Sequence, residues 1–333
     1  MEHRNIISRK EFSLKNFFFQ WEWMLVLILI AINVVNSFLS PYYLDFSKLL
    51  DTTMTYLDKA FIVLPMVFII ILGAIDISVA STVALSAVVM GVAYNAGIPM
   101  VPAMLICLLV GTLCGFVNGK LITKFPELSP MIVTLSTMIL YRGIAYIILE
   151  DQAAGKFPSW YQFLGWGYVG GIPFMLICFA VCAVLYGLLL HKTTFGRRVY
   201  AMGNNITASQ FSGVQVDKIK VIVYTLSGLM SGVTALFLTS RMGSTRPNVA
   251  TGYEMDVIAM VVLGGISASG GRGRLIGGVL AVFIIGLLKY GLGLINVSAQ
   301  ILMIIVGLLL IVAIAAPNLR ASFTRRRRIQ SME

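Results

Sequence analysis

Few ionisable side chains stand within the apolar stretches of this chain, and those few are the first candidates for chemistry. Asp76 sits in GAIDISVA, Arg142 in the later part of one apolar run and Lys289 near the end of another. Charges at membrane depth are costly and mark proton relays, solute paths or buried partners. Three roles stay open for Asp76. It caps a following helix across a break signalled by Gly73 and Ser78, accepting N–H bonds; it contacts a solute or gates its path; or it couples protons. The break favours capping. Recognisable catalytic chemistry is missing. There is no G-x-x-x-x-G-K-[ST] phosphate loop and no G-x-S-x-G elbow, so neither ATP binding of that kind nor serine hydrolysis is expected of the chain itself. Gly270-Gly271-Arg272-Gly273 follows an apolar helix pattern rather than a strand and fails the dinucleotide fingerprint. His3 and His191 are the only histidines, so no metal set is expected. Cys107 with Cys114, and Cys178 with Cys182, share helix faces and read as small packing residues. The expectation is a non-enzyme with no cofactor.

The elements that must position these residues are membrane helices. Of 333 residues, 58% are hydrophobic and only 12% charged, and the mean hydropathy is +0.90; soluble domains carry about twice that share of charge. Apolar runs lie at 23–40, 56–75, 78–96, 100–119, 130–149, 172–190, 219–240, 254–266, 275–294 and 299–316. At about 20 residues per crossing, the fold class is all-α, a polytopic membrane protein with about ten transmembrane helices. The first run is an uncleaved span, because no clean cleavage site follows it. The second and third are too long together for one crossing and divide in two. The eighth is short and bounded by glycines, a half-helix ending inside the protein.

Lys and Arg set the orientation. With the N-terminus inside, the inner segments collect Lys120, Lys124, Lys192, Arg197, Arg198, Lys218, Lys220, Arg272, Arg274 and the run Arg325 to Arg328. Both termini are then cytoplasmic, and Asp45, Asp51, Asp58, Glu150 and Asp151 fall outside. The net charge of +11 marks the inner face rather than a nucleic-acid partner. Residues 1–333 read as a single transmembrane domain, with cytoplasmic tails at 1–20 and 318–333. Outside, residues 41–55 are expected to form a short surface helix. Residues 151–171, with Trp160, Tyr161, Phe163, Trp166 and Tyr168, read as an interfacial aromatic anchor or a docking surface. Gly111, Gly115 and Gly119, and Gly228 with Gly232, repeat every four residues, a spacing that brings helices into close contact in lipid.

One polar island interrupts this pattern. Residues 191–220 read HKTTFGRRVYAMGNNITASQFSGVQVDKIK. Gly203, Asn204 and Asn205 break the chain before a short helix capped by Asn205 or Thr207. Ala208, Phe211 and Val214 then fall on one side as an apolar ridge, with Phe211 the anchor. Such a loop suits a soluble partner; a lipid-bound basic loop is the alternative.

Three stretches carry a family resemblance. GAIDISVAST resembles the G-G-I-D-L-S-V-G segment of bacterial ABC-type sugar importer permeases. RRVYAMGNNITASQFSGV resembles their G-R-x-V-Y-A-x-G-x-N loop, and YEMDVIAMVVLGGISASGGRGRLIGG their Y-E-L-D-A-I-A segment. The order is the same, over about residues 23 to 316. Ala74 and Ala80 replace two of the family's glycines. The resemblance is to the ribose-type group, which includes autoinducer-2 importers. It implies a permease in the bacterial inner membrane that forms the path for a monosaccharide or sugar-like molecule. It also implies three partners: a cytoplasmic ATPase that grips the 191–220 loop, an outside substrate-binding protein, and a second permease, identical or different. Coupling residues by this resemblance are Gly203, Asn204, Asn205, Ala208, Phe211 and Gly213. For the path and its gates, Asp76, Asn95, Thr134, Ser136, Tyr141, Arg142 and Ser267 are candidates, each able equally to make an interhelical hydrogen bond. The related branched-chain amino-acid permease and a stand-alone carrier or channel are the competing readings.

Overall fold

The computed structural model describes residues 21–298, 300–305, 307, 308 and 311. The tails at 1–20 and 318–333, and much of the run at 299–316, lie outside the described residues. In chain order come α1 (Trp21–Leu39), α2 (Phe46–Ile71), α3 (Val79–Asn95), α4 (Met100–Lys124) and α5 (Pro130–Leu149). A connecting segment follows with β1 (Ala154–Gly155), a 3-10 turn (Ser159–Gln162), α6 (Phe163–Trp166), β2 (Tyr168–Val169) and β3 (Ile172–Pro173). Then come α7 (Phe174–Lys192), α8 (Thr194–Asn204), α9 (Ile206–Phe211), α10 (Val216–Met242), β4 (Ser244–Thr245), α11 (Tyr253–Leu263) and α12 (Leu275–Leu294). The strands form two minimal antiparallel pairs, β1 with β4 and β2 with β3.

Seven of these helices, α1, α2, α4, α5, α7, α10 and α12, are long and apolar enough to cross a membrane. α3, with 17 residues, is apolar but shorter. α11 has only 11 residues, about 16 Å, half the hydrocarbon thickness of a bilayer.

α2 is the hub. Every residue from Met54 to Ile71 except Thr55 is buried, and a helix apolar on all sides belongs in a core. Phe61 stacks on Phe237 of α10 at 4.8 Å and meets Phe179 of α7 edge-on at 5.7 Å. α4 and α10 cross at their glycines. A Cβ on Gly115 would lie 2.2 Å from the Tyr224 carbonyl oxygen, and one on Gly228 would lie 2.1 Å from that of Gly111. Nothing larger than glycine fits there, so the repeat serves packing within the chain.

The second and third runs separate at residues 72–78, where the backbone leaves the helix. Residues 41–55 differ from expectation. A turn occupies 41–44, and from Phe46 the chain is already α2, started by Asp45, whose carboxylate accepts the Lys48 N–H at 3.4 Å. No breaker intervenes, so the first two turns continue into the span. The eighth apolar run forms only a short helix: residues 243–252 are largely non-helical and α11 follows. Arg142 pins this segment, donating from Nη1 to the carbonyls of Pro247 (2.5 Å) and Val249 (2.8 Å).

Candidate functional site

The break at 72–78 places a carboxylate where three helices converge. Asp76 is buried. Its Oδ1 accepts the Ser78 N–H (3.0 Å) and hydroxyl (2.6 Å), and its Oδ2 accepts the Ser227 hydroxyl of α10 at 3.1 Å. Asn118 of α4 donates to Ser78 Oγ at 2.7 Å, and Tyr141 of α5 donates to Asn118 Oδ1 at 3.0 Å. Thr134 of α5 donates to the Ile75 carbonyl at 3.3 Å. Asp76, Thr134 and Tyr141 therefore meet in one buried network. Charge-assisted hydrogen bonds are the strong ones, and here they hold the irregular backbone ahead of α3.

The remaining path candidates are not gathered there. Asn95 is exposed at the end of α3, and Ser136 is exposed on α5 with its hydroxyl bonded to the Ile132 carbonyl at 2.9 Å. Ser267 lies in the Gly-rich turn, where its N–H reaches the Arg272 carbonyl at 3.0 Å. Arg142 stands apart and anchors residues 247–249, as described above. It lies seven residues before the end of α5, about 10 Å below that end. The segment it pins carries exposed Arg246, Asn248 and Thr251. Non-helical backbone at membrane depth is tolerated only inside protein or beside water, so this polar face is suited to a water-filled path.

A second charged network went unread in the sequence. Asp58 and Lys59 of α2 are both buried. Asp58 Oδ2 accepts from Arg241 of α10 at 2.7 Å and from the Tyr253 hydroxyl at 3.0 Å. Asp256 of α11 pairs with Lys59 and, at 2.8 Å, with Lys289 of α12. Lys59 also lies over the Tyr253 ring at 5.0 Å. Four helices are thus tied through α11. Position in the chain put Asp58 in the outer segment, but the helix starts twelve residues earlier, at Phe46, and carries it inward. The adjacent opposite charges in an otherwise apolar run were the available signal.

The island forms two helices. α8 runs to Asn204, and α9 is started by Asn205, whose Oδ1 accepts the Ala208 N–H at 2.9 Å; Thr207 plays no capping part. Gly213 ends α9 with φ of 80°. Ala208 and Phe211 are exposed, Phe211 by 89%. Gly203 packs closely against the Gly-rich turn, and the exposed Asn204 reaches it with its side chain. A Cβ on Gly203 would lie 1.9 Å from the Ile71 carbonyl oxygen and 2.6 Å from Gly271 N. Asn204 Nδ2 donates to the Gly271 carbonyl at 3.4 Å, and the Tyr200 hydroxyl to that of Gly273 at 2.7 Å. The loop is therefore fastened to the Gly-rich turn that ends the broken crossing, while α9 stands clear.

Residues 49–314 match the family described as branched-chain amino acid transport system / permease component. The ribose import permease protein RbsC of Bacillus subtilis (strain 168) is 37% identical over 288 residues, covering 86% of this chain and 89% of that protein. The autoinducer 2 import system permease protein LsrD of Escherichia coli (strain K12) is 35% identical over 300 residues, covering 88% and 91%. No solved structure matches the chain. With this coverage, a helical frame long enough to cross the membrane several times and a fastened polar loop, the chain belongs to the branched-chain amino acid transport system / permease component family.

Proposed function

We propose that this chain is the membrane subunit of an ATP-driven ABC importer in a bacterial inner membrane, forming the path for a monosaccharide or sugar-like molecule. One observation carries the reading: the α8–α9 loop is joined by Gly203, Asn204 and Tyr200 to the turn that ends the broken crossing. A partner that grips exposed Ala208 and Phe211 moves α9, and the movement passes through this turn to the polar segment at 246–251. ATP is hydrolysed on a separate cytoplasmic subunit. An outside binding protein delivers the solute, and a second permease, identical or different, completes the path. The chain crosses about ten times with both ends inside, counting α3, the broken crossing and the run at 299–316.

A sugar fits better than an amino acid. A zwitterion needs charges of both signs facing the path. Here Asp58 is engaged with Arg241 and Asp256 with Lys59 and Lys289, and Arg142 is spent on carbonyls. The relatives named above import ribose and autoinducer 2. Residues 203–205, 208, 211 and 213 form the coupling element: 208 and 211 touch the ATPase, and 203–205 transmit. Asp76, Thr134 and Tyr141 hold the break beside α3, while Asn95, Ser136, Arg142 and Ser267 border the path or its gates.

Tagging the chain in its own cell, solubilising gently and identifying what co-purifies tests this. An ATPase subunit is the expected partner. Recovery of the chain alone, even after mild crosslinking, would assign it to a stand-alone carrier or channel.

A further inference from the structure

A cleft of about 370 Å³ opens between α7 and α12. One wall is Ala183, Val184 and Gly187; the other is Leu275, Ile276 and Val279. Ala183 and Gly187 lie four apart, so the α7 wall is low on one face. Val184 and Ile276 are 61% and 52% exposed. The cleft is closed at one end by His191 and Arg274, the last turn of α7 and the residue before α12, with Lys192 exposed beside them. His191 Nε2 accepts the Leu275 N–H at 3.4 Å, which leaves its proton on Nδ1 and fixes the spacing of the two helix ends. Arg274 meets Glu22 of α1 at 3.4 Å, with 57% of its side chain still exposed.

The apolar walls run along the direction of the spans and the cations sit at headgroup depth on the side of α8 and α9. Between helices in lipid, apolar contact gives no net drive, since acyl chains are as apolar as leucine. The cleft therefore sets shape, and selection falls to its charged end. Basic pockets between membrane helices on the cytoplasmic side favour anionic headgroups. We infer that this cleft binds an anionic phospholipid, one acyl chain lying between α7 and α12 and the phosphate against Arg274, Lys192 and the His191 Nδ1–H. The other occupant near at hand is the chain's own segment before Trp21, which begins next to Glu22.

The test uses the full-length protein in membranes with a phosphatidylglycerol that carries a photoreactive group in its acyl chain. Labelling is expected to concentrate on 183–191 and 275–279, above the exposed positions Leu105 of α4 and Ile147 of α5. The excess should be competed by unlabelled phosphatidylglycerol and not by phosphatidylcholine. Gly187→Leu fills the cleft, and its Cβ meets only Leu275 Cδ2, at 3.6 Å, so the fold tolerates it. Cleft labelling should then drop to the α4 and α5 level, which serves as the internal control in every variant. Arg274→Gln and Lys192→Gln should each reduce the preference for the anionic lipid about fivefold. Even labelling of all exposed helices, or equal competition by the two lipids, would overturn the inference. So would a cleft that takes up label only after residues 2–18 are deleted, which would assign it to the chain's own N-terminal segment.

Discussion

Asp76 and Asp256 show how differently two carboxylates serve in one membrane protein. Asp76 accepts three hydrogen bonds and organises a polar network, with no cation bonded to it among the described residues. Asp76→Ala orphans the hydroxyls of Ser78 and Ser227, at about 1–3 kcal/mol for each buried group left unsatisfied. We expect a clear fall in the thermal midpoint of the purified protein for Asp76→Ala and a much smaller one for Asp76→Asn, whose Oδ1 still accepts. An equal fall in both would mean that the charge, not the hydrogen bonding, holds the break. Asp256 bridges Lys59 and Lys289. Removing one partner of a buried pair costs about 3–5 kcal/mol, so Asp256→Ala should be among the most destabilising changes in the chain. Adding Lys289→Met should recover part of the loss in the same denaturation assay. The break at Asp76 was legible because Gly73 and Ser78 flank it, but the cap was not: the helix N-cap is Ser78, without a side-chain cap bond, and Asp76 accepts the N–H of Ser78 just ahead of the helix. The Asp58–Arg241 and Asp256–Lys59–Lys289 contacts were not legible, because they join residues 33 to 197 positions apart.

At the scale of elements, hydrophobic runs located the long helices within a few residues, since each must fill the membrane with apolar side chains. Their ends were less legible. The run starting at residue 56 missed the first two and a half turns of α2, where Thr52, Thr53 and Met54 are buried beneath a polar-looking sequence. The glycine repeat foretold close packing but not the pairing of α4 with α10, which only the fold supplies. The crossing gives a graded test. Gly115→Ala places a Cβ 2.2 Å from backbone, whereas Gly232→Ala has its nearest atom at 3.2 Å. Overpacking of a tight core costs about 1–3 kcal/mol, so Gly115→Ala should be markedly less stable in detergent than Gly232→Ala. Equal stability would show that the two helices separate freely at this point. The island's short helix was readable from the break at residues 203–205 and the cap at Asn205. The contacts of Gly203 and Asn204 were not, because their partner is the distant turn at 271–273.

Over the whole molecule, the frame and the moving part are joined at one place. α2 and its buried charges hold the C-terminal end of α10, the start of α11 and the later part of α12 together. The Gly-rich turn, by contrast, joins the C-terminal end of α2 to α8, through Gly271 N–H to the Ile71 carbonyl at 2.8 Å and through Asn204. In the proposed coupling, a push on α9 reaches the turn ahead of α12 through these contacts, together with the Tyr200–Gly273 hydrogen bond and the close packing of Gly203 on Gly271. The measurement that tests this most directly is solute-stimulated ATP hydrolysis by the importer complex reconstituted in lipid, with the solute that its own binding protein is found to bind, in wild type and in Ala208→Asp and Phe211→Ala. We expect Ala208→Asp to abolish the stimulation and Phe211→Ala to weaken it at least about tenfold, the loss of roughly 1.4 kcal/mol of contact, with membrane insertion unchanged in both. Full stimulation in Ala208→Asp, with the protein inserted normally, would contradict the assignment of α9 as the coupling element.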